Sequence, residues 1–150
     1  MKTKILTFTA LLLMAGSAFT GCEEDTPKGT DIPFTEYSFE GTESYWTSLV
    51  YALEKPILIN SDEELKNYIV GANYPVIDFS KHTLVLAGGS TSTAVSLRTF
   101  RFLQFSTEKY LLNVELNWSD ATIIGHWFVA ILTDKLSNNS NVELAMNERP

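Results

Sequence analysis

Cysteine occurs once in this chain, at Cys22, and histidine only twice, at His82 and His126. A single cysteine cannot form an internal disulfide, so the fold must rest on its apolar core. Two separated histidines without a Cys-x-x-Cys offer no ligand spacing for a structural metal, and no metal site is expected. Basic residues are scarce as well: 11 Lys and Arg stand against 18 Asp and Glu, a formal charge of −7. That balance argues against electrostatic capture of nucleic acid or of an anionic membrane surface. Catalytic signatures are missing too. There is no GxSxG, HExxH, phosphate-binding GxxxxGK[ST] or dinucleotide GxGxxG string. No spacing supports a Ser/His/Asp triad. The sequence reads as a non-enzyme without a cofactor.

Long apolar runs are also few. The one at the N-terminus, Ile5 to Met14, is too short to span a bilayer with flanks. Lys2 and Lys4 precede it and the small residues Ala15-Gly16-Ser17-Ala18 follow, which is the layout of a secretory signal. Phe19-Thr20-Gly21-Cys22 resembles a lipobox, so residues 1–21 are expected to be removed and Cys22 to carry lipid. Removing 21 of the 150 residues leaves 129, which suits one domain able to bury about two-thirds of its unfolded surface. The loss of Lys2 and Lys4 leaves nine basic residues against 18 acidic ones, a charge of −9.

Residues 22–31 are polar, with Pro27 and Gly29, and read as a flexible tether. Their acidic cluster Glu23-Glu24-Asp25 resembles an export signal for lipoproteins on the outer face of an outer membrane. A single β-rich domain is expected over residues 32–150. Ser44 to Leu53 and Pro56 to Ile59 read as strands. Ser61-Asp62-Glu63-Glu64 is a capping box, and Leu65, Tyr68 and Ile69 then recur at helical spacing up to a stop at Gly71. Thr83 to Ala87 reads as a buried strand ending at Gly88-Gly89. Ala94 to Phe105 reads as a bulged strand, because Phe100 and Phe102 fall out of phase with Leu103 and Phe105. Tyr110 to Trp118 alternates cleanly after a turn at Thr107-Glu108-Lys109, and Thr122 to Thr133 is apolar on both faces, as a central strand would be. Val142 to Met146 is the last strand. Short turns favour antiparallel pairing. The expected fold class is α+β, mainly β: an antiparallel sheet rolled towards a barrel with one helix packed on it.

Three features could form a partner-binding surface. The first is Gly88-Gly89-Ser90-Thr91-Ser92-Thr93, read as a small, uncharged loop able to enter a narrow cleft. The second is the aromatic set Tyr37, Phe39, Tyr45 and Trp46, which could anchor an interface or serve as edge-strand core. The third is Arg98 and Arg101 among Phe100 and Phe102. His126 is expected to be a hydrogen-bonded structural residue, and His82 to be exposed. Asp78 and Asp120 are expected to cap local amides in turns.

Ile32 to Ser38, Ile59 to Leu65, Tyr74 to Leu84 (with the string IDFSKHTL) and Asn141 to Leu144 resemble a family of small surface lipoproteins of gut and oral Gram-negative anaerobes. Similar sequences often carry a Cys pair near Tyr45 and Val70, and this chain has neither Cys. In size, anchoring and expected fold the chain is similar to the potempins, β-barrel inhibitors of secreted proteases. The resemblance implies a lipid-anchored, non-enzymatic protein of the outer membrane whose partner is a secreted protease. The alternative is an accessory subunit of an outer-membrane complex. It maps no inhibitory residue onto this sequence. The segment Ile32 to Tyr37, with Ile32, Phe34 and Tyr37, joins the loop at Gly88 as the element expected to be presented to the partner.

Overall fold

The computed structural model describes residues 28–149. The signal segment and Cys22 lie outside the described residues. Alternating apolar residues build two four-stranded sheets. Strands β1 (Thr30–Asp31) and β2 (Thr35–Glu36) come from the N-terminal segment, followed by β3 (Tyr45–Trp46), β4 (Ile57–Ile59) and β5 (Ile69–Val70). The long strands are β6 (His82–Thr91), β7 (Val95–Ser106), β8 (Lys109–Trp118), β9 (Gly125–Asp134) and β10 (Asn141–Arg149). One sheet has the order β1-β7-β8-β10 and the other β2-β9-β6-β4, while β3 and β5 form a separate pair.

The mainly-β expectation holds, in the form of two sheets face to face rather than a closed barrel. Phe102, Leu112, Val114 and Leu116 of the first sheet meet Val85, Ala87, Trp127, Val129 and Ile131 of the second. β9 and β6 are the inner strands of their sheet, and both of their faces are buried. Leu84, Leu86 and Ala130 point away from the first core into a second one, closed by Val50, Ile59, Leu65 and Ile69. That is why Thr122 to Thr133 reads as apolar on both sides. The strand itself starts later, at Gly125, leaving Ile123 62% and Ile124 71% exposed.

Pairing is antiparallel with one exception: β10 runs parallel to β8 from Asn141↔Lys109 to Arg149↔Asn117. β9 lies in the other sheet, so the chain crosses the sandwich between β8 and β10 and returns in the same direction. The bulges in β7 fall between Leu97 and Thr99 and between Gln104 and Ser106, close to where the phase of the phenylalanines breaks.

The helix is shorter than its spacing suggests. Helix α1 is a single turn, Asp62–Leu65. Ser61 Oγ accepts from the Glu64 amide at 3.2 Å, and the Glu64 carboxylate accepts from the Asn60 amide at 2.7 Å rather than from that of Ser61. After Leu65 the chain tightens, with Asn67 and Tyr68 amides donating to Glu64 and Leu65 carbonyls. Ile69 and Val70 then leave the turn to pair with Trp46 and Tyr45. Gly71, at φ 108°, ends that strand and not a helix. Ser61→Ala should lower stability by about 0.5–2 kcal/mol, because a first-turn amide loses its cap. A chemical denaturation midpoint equal to that of the wild type would contradict this.

Two further expectations are corrected. Ser44 to Leu53 is not one strand: after β3, residues Ser48–Ala52 form a 3₁₀ turn that buries Val50. The tether also ends earlier than residue 31. Thr30 and Asp31 pair with Gln104 and Leu103, and Arg101 grips Asp31 with Nε–Oδ1 3.1 Å and Nη2–Oδ2 2.6 Å. The Arg101 bond holds the exposed Asp31 carboxyl below the usual range.

Candidate functional site

The N-terminal segment runs from the edge of one sheet to the edge of the other and closes that side of the sandwich. Ile32 donates its amide to the Phe102 carbonyl and Tyr37 donates its amide to the Ala130 carbonyl. Phe34 stacks on Phe100 with ring centroids 5.3 Å apart. Ile32 and Phe34, expected to be presented to a partner, are thus half-buried and packed against the core. Tyr37 is buried, its hydroxyl donating to the Pro75 carbonyl at 2.6 Å, and burial pushes its pKa up to about 12.

Beyond Tyr37 the chain turns over the outer face of the second sheet and leaves a groove of about 630 Å³. Aromatic side chains line it in an unbroken row. Phe39 and Trp46 have centroids 4.7 Å apart, Tyr37 lies 5.6 Å from Phe39, and Phe128 lies 6.1 Å from Trp46 and 6.2 Å from Tyr51. Tyr45 stands 59% exposed at the rim. Glu36 and Glu40 supply the carboxylates of the lining, which holds no Lys or Arg. The row continues outside the groove to His126, whose ring lies 4.7 Å from that of Tyr51. The His126 Nδ1 is 2.9 Å from Ser90 Oγ, so this histidine is tied to the neighbouring strand though its side chain is exposed. His82 is half-buried instead of exposed, with Nδ1 3.3 Å from the Thr133 carbonyl.

The segment Gly88 to Thr93 is not a loop. Gly88, Gly89, Ser90 and Thr91 belong to β6, opposite Phe128, Trp127, His126 and Gly125, and only Ser92 and Thr93 lie beyond the strand. The glycines serve close packing. A Cβ at residue 88 would stand 2.2 Å from the Val50 carbonyl oxygen, and one at residue 89 would stand 2.9 Å from the Trp127 indole nitrogen. Gly89, Ser90 and Thr91 instead line a second cleft, of about 360 Å³, at the opposite, open side of the sandwich.

Of the sequence candidates, the structure gathers Tyr37, Phe39, Tyr45 and Trp46 into one place. Sequence reasoning missed Tyr51 and Phe128, the other half of the row; Phe128 is the outward residue of a strand apolar on both faces. Arg101 is engaged with Asp31, and Arg98 is exposed without joining the groove. No group of three or more metal-ligating side chains occurs among the described residues, and no helix among them is long and apolar enough to cross a membrane. No family model, curated protein or solved structure matches this chain.

Asp78 acts as the turn residue its context suggests. Its carboxylate accepts from the Ser80 hydroxyl at 2.5 Å and amide at 3.1 Å, and Lys81 Nζ lies 3.1 Å away. These bonds, the Ser80 hydroxyl first, lower its pKa from 3.8 to about 2. A carboxyl depressed by folding stabilises the protein above its unfolded pKa and loses that contribution as pH falls through its folded one. Asp78→Asn should therefore flatten the fall of stability between about pH 4 and pH 2. Denaturation midpoints at several pH values check this; an unchanged acid limb would contradict it.

Proposed function

We propose that this is a lipid-anchored, non-enzymatic binding protein of the outer membrane, held at the cell surface through Cys22. Its aromatic groove takes a basic segment of a partner protein. The groove itself carries this reading. Aromatic faces attract Lys and Arg side chains by about 0.5–2 kcal/mol each, more as the site is desolvated. Glu36 and Glu40 add charge of the right sign, and no basic residue in the lining opposes it. The negative formal charge of the whole chain steers a basic partner in the same direction. A volume of about 630 Å³ has room for more than one side chain.

The test is selection from a library of basic, neutral and acidic heptapeptides on the full chain in detergent. Peptides with Arg or Lys should be enriched, and raised salt should weaken them. Trp46→Ala should reduce their affinity at least about tenfold, the scale of a lost aromatic anchor. Enrichment of acidic peptides, or binding indifferent to Trp46→Ala, would overturn the reading.

A second reading, inhibition of secreted proteases, is favoured by one observation. Ile123 and Ile124 protrude from a braced loop, in which the Ala94 amide donates to the Ala121 carbonyl and the Ser119 amide to the Ala94 carbonyl. A pre-ordered apolar loop is what insertion into a protease cleft requires. Under this reading the chain inhibits at least one secreted protease of its own organism, and Ile123→Asp with Ile124→Asp abolishes the inhibition. A panel of metallo-, serine and cysteine proteases left uninhibited would remove it.

A further inference from the structure

The edges of the two sheets are treated unequally. Three are short: β1 and β2 have two residues each and β4 has three. The fourth, β10, runs for nine residues and has one neighbour among the described residues, β8. Long edges are normally blunted by proline, lysine, bulges or a covering element, because their unpaired N–H and C=O groups template further pairing. Asn141 to Arg149 contains neither proline nor lysine, and its register with β8 has no shift; its charges are Glu143 and, at the far end, Glu148 and Arg149, which leaves Leu144 to Asn147 uncharged.

The same side of the sandwich holds the second cleft. Leu144 and Met146 of β10 form one wall, and Leu116, Trp118 and Trp127 the apolar interior. Residues 51–54, which lead into β4, form the facing wall. Met146 is 51% exposed there. The Trp118 indole N–H in this lining meets no acceptor among the described residues. A strand added beside β10 would turn every second side chain into this opening and the others to solvent.

We propose that the β10 edge and its cleft form a strand-addition site for an extended peptide of another protein, with apolar residues at alternate positions. Backbone bonds to β10 supply the affinity and the cleft supplies side-chain selection. The cleft adjoins the aromatic groove, sharing Tyr51 with it, but opens on the β10 edge rather than over the outer face of the second sheet. A second copy of the chain fits less well as occupant. Its own Val142 and Leu144 are already committed to its own core, so edge-to-edge pairing of two β10 strands would leave both clefts open. The formal charge of −7 also opposes self-association.

The experiment uses the full chain in detergent and fluorescence anisotropy. The probe is a labelled octapeptide alternating Val or Leu with Thr or Ser. Three controls accompany it: a scrambled peptide of the same composition, a peptide N-methylated at alternate amides, and the Met146→Glu variant. Folding of the variant is checked by its denaturation midpoint, since the residue is half exposed. The alternating peptide should bind, and each control should weaken it at least about tenfold. Absence of binding would overturn the proposal, as would equal binding of the scrambled or N-methylated peptide. Sedimentation showing that the chain pairs with itself, with Met146→Glu dispersing the pair, would assign the edge to a second copy instead.

Discussion

Gly88→Ala should destabilise the domain by about 3 kcal/mol, the upper end of what overpacking costs. The added methyl would meet the Val50 carbonyl oxygen at 2.2 Å and the Trp127 carbonyl oxygen at 3.0 Å. Both are backbone atoms. One belongs to the 3₁₀ turn and the other to the strand directly across the ladder, so no side-chain rotation relieves the clash. Relief requires the turn to lift off the sheet, which would also uncover Val50. Ser92→Ala, a few residues on and exposed beyond the strand, should change stability by less than about 0.5 kcal/mol. Urea denaturation of both variants measures the contrast. A Gly88→Ala midpoint equal to that of Ser92→Ala would return the segment to an open loop.

Tyr45→Cys with Val70→Cys should form a disulfide and raise stability by about 3.5 kcal/mol, the chain-entropy value for a loop of roughly 25 residues. The two residues are direct partners on the β3–β5 ladder. Cross-strand Cα atoms lie about 4.5–5.5 Å apart in such pairs, within the range a disulfide bridges. Tyr45 is 59% and Val70 41% exposed, so little packing is lost. Loss of the gain on reduction, followed by thermal denaturation with and without a thiol, separates the bridge from the substitutions. A variant that stays reduced, or gains nothing when oxidised, would show that the ladder does not hold residues 45 and 70 together.

The long strands were legible because each has one consistent period. Tyr110, Leu112, Val114 and Leu116 alternate with polar residues, and they all enter one core. The doubly apolar stretch of β9 was legible as an inner strand for the same reason. What misled was composition without context. Gly88-Gly89-Ser90-Thr91 has the residues of a loop, yet its glycines answer to Val50 and Trp127, which come from distant parts of the chain. Leu65, Tyr68 and Ile69 have helical spacing, yet Ile69 is claimed by Trp46 across a strand pair, a contact no local pattern contains. The parallel return of β10 was illegible because its partner β8 is two strands back.

The candidate site was half legible. Tyr37, Phe39, Tyr45 and Trp46 are close in sequence and drew attention as a cluster. Tyr51 sits on a 3₁₀ turn and Phe128 on a strand, and the turn is brought over the sheet by Val50, which packs with Leu84, Leu86 and Ala130 and lies close against Gly88. The packing of the N-terminal segment was not legible either. The resemblance made it an element to be presented to a partner, whereas Ile32 and Phe34 pack against the core and shut one side of the sandwich.

The most direct test of partner capture by the aromatic groove is photo-crosslinking in the native envelope. A photoreactive residue replaces Tyr45 at the groove rim, and a control replaces Val76, which is 95% exposed and outside the lining. The account predicts a defined protein adduct from residue 45 alone, mapped to a segment bearing Arg or Lys and lost when Trp46→Ala is added. Equal adducts from residues 45 and 76, or an adduct from residue 45 that survives Trp46→Ala, would contradict it.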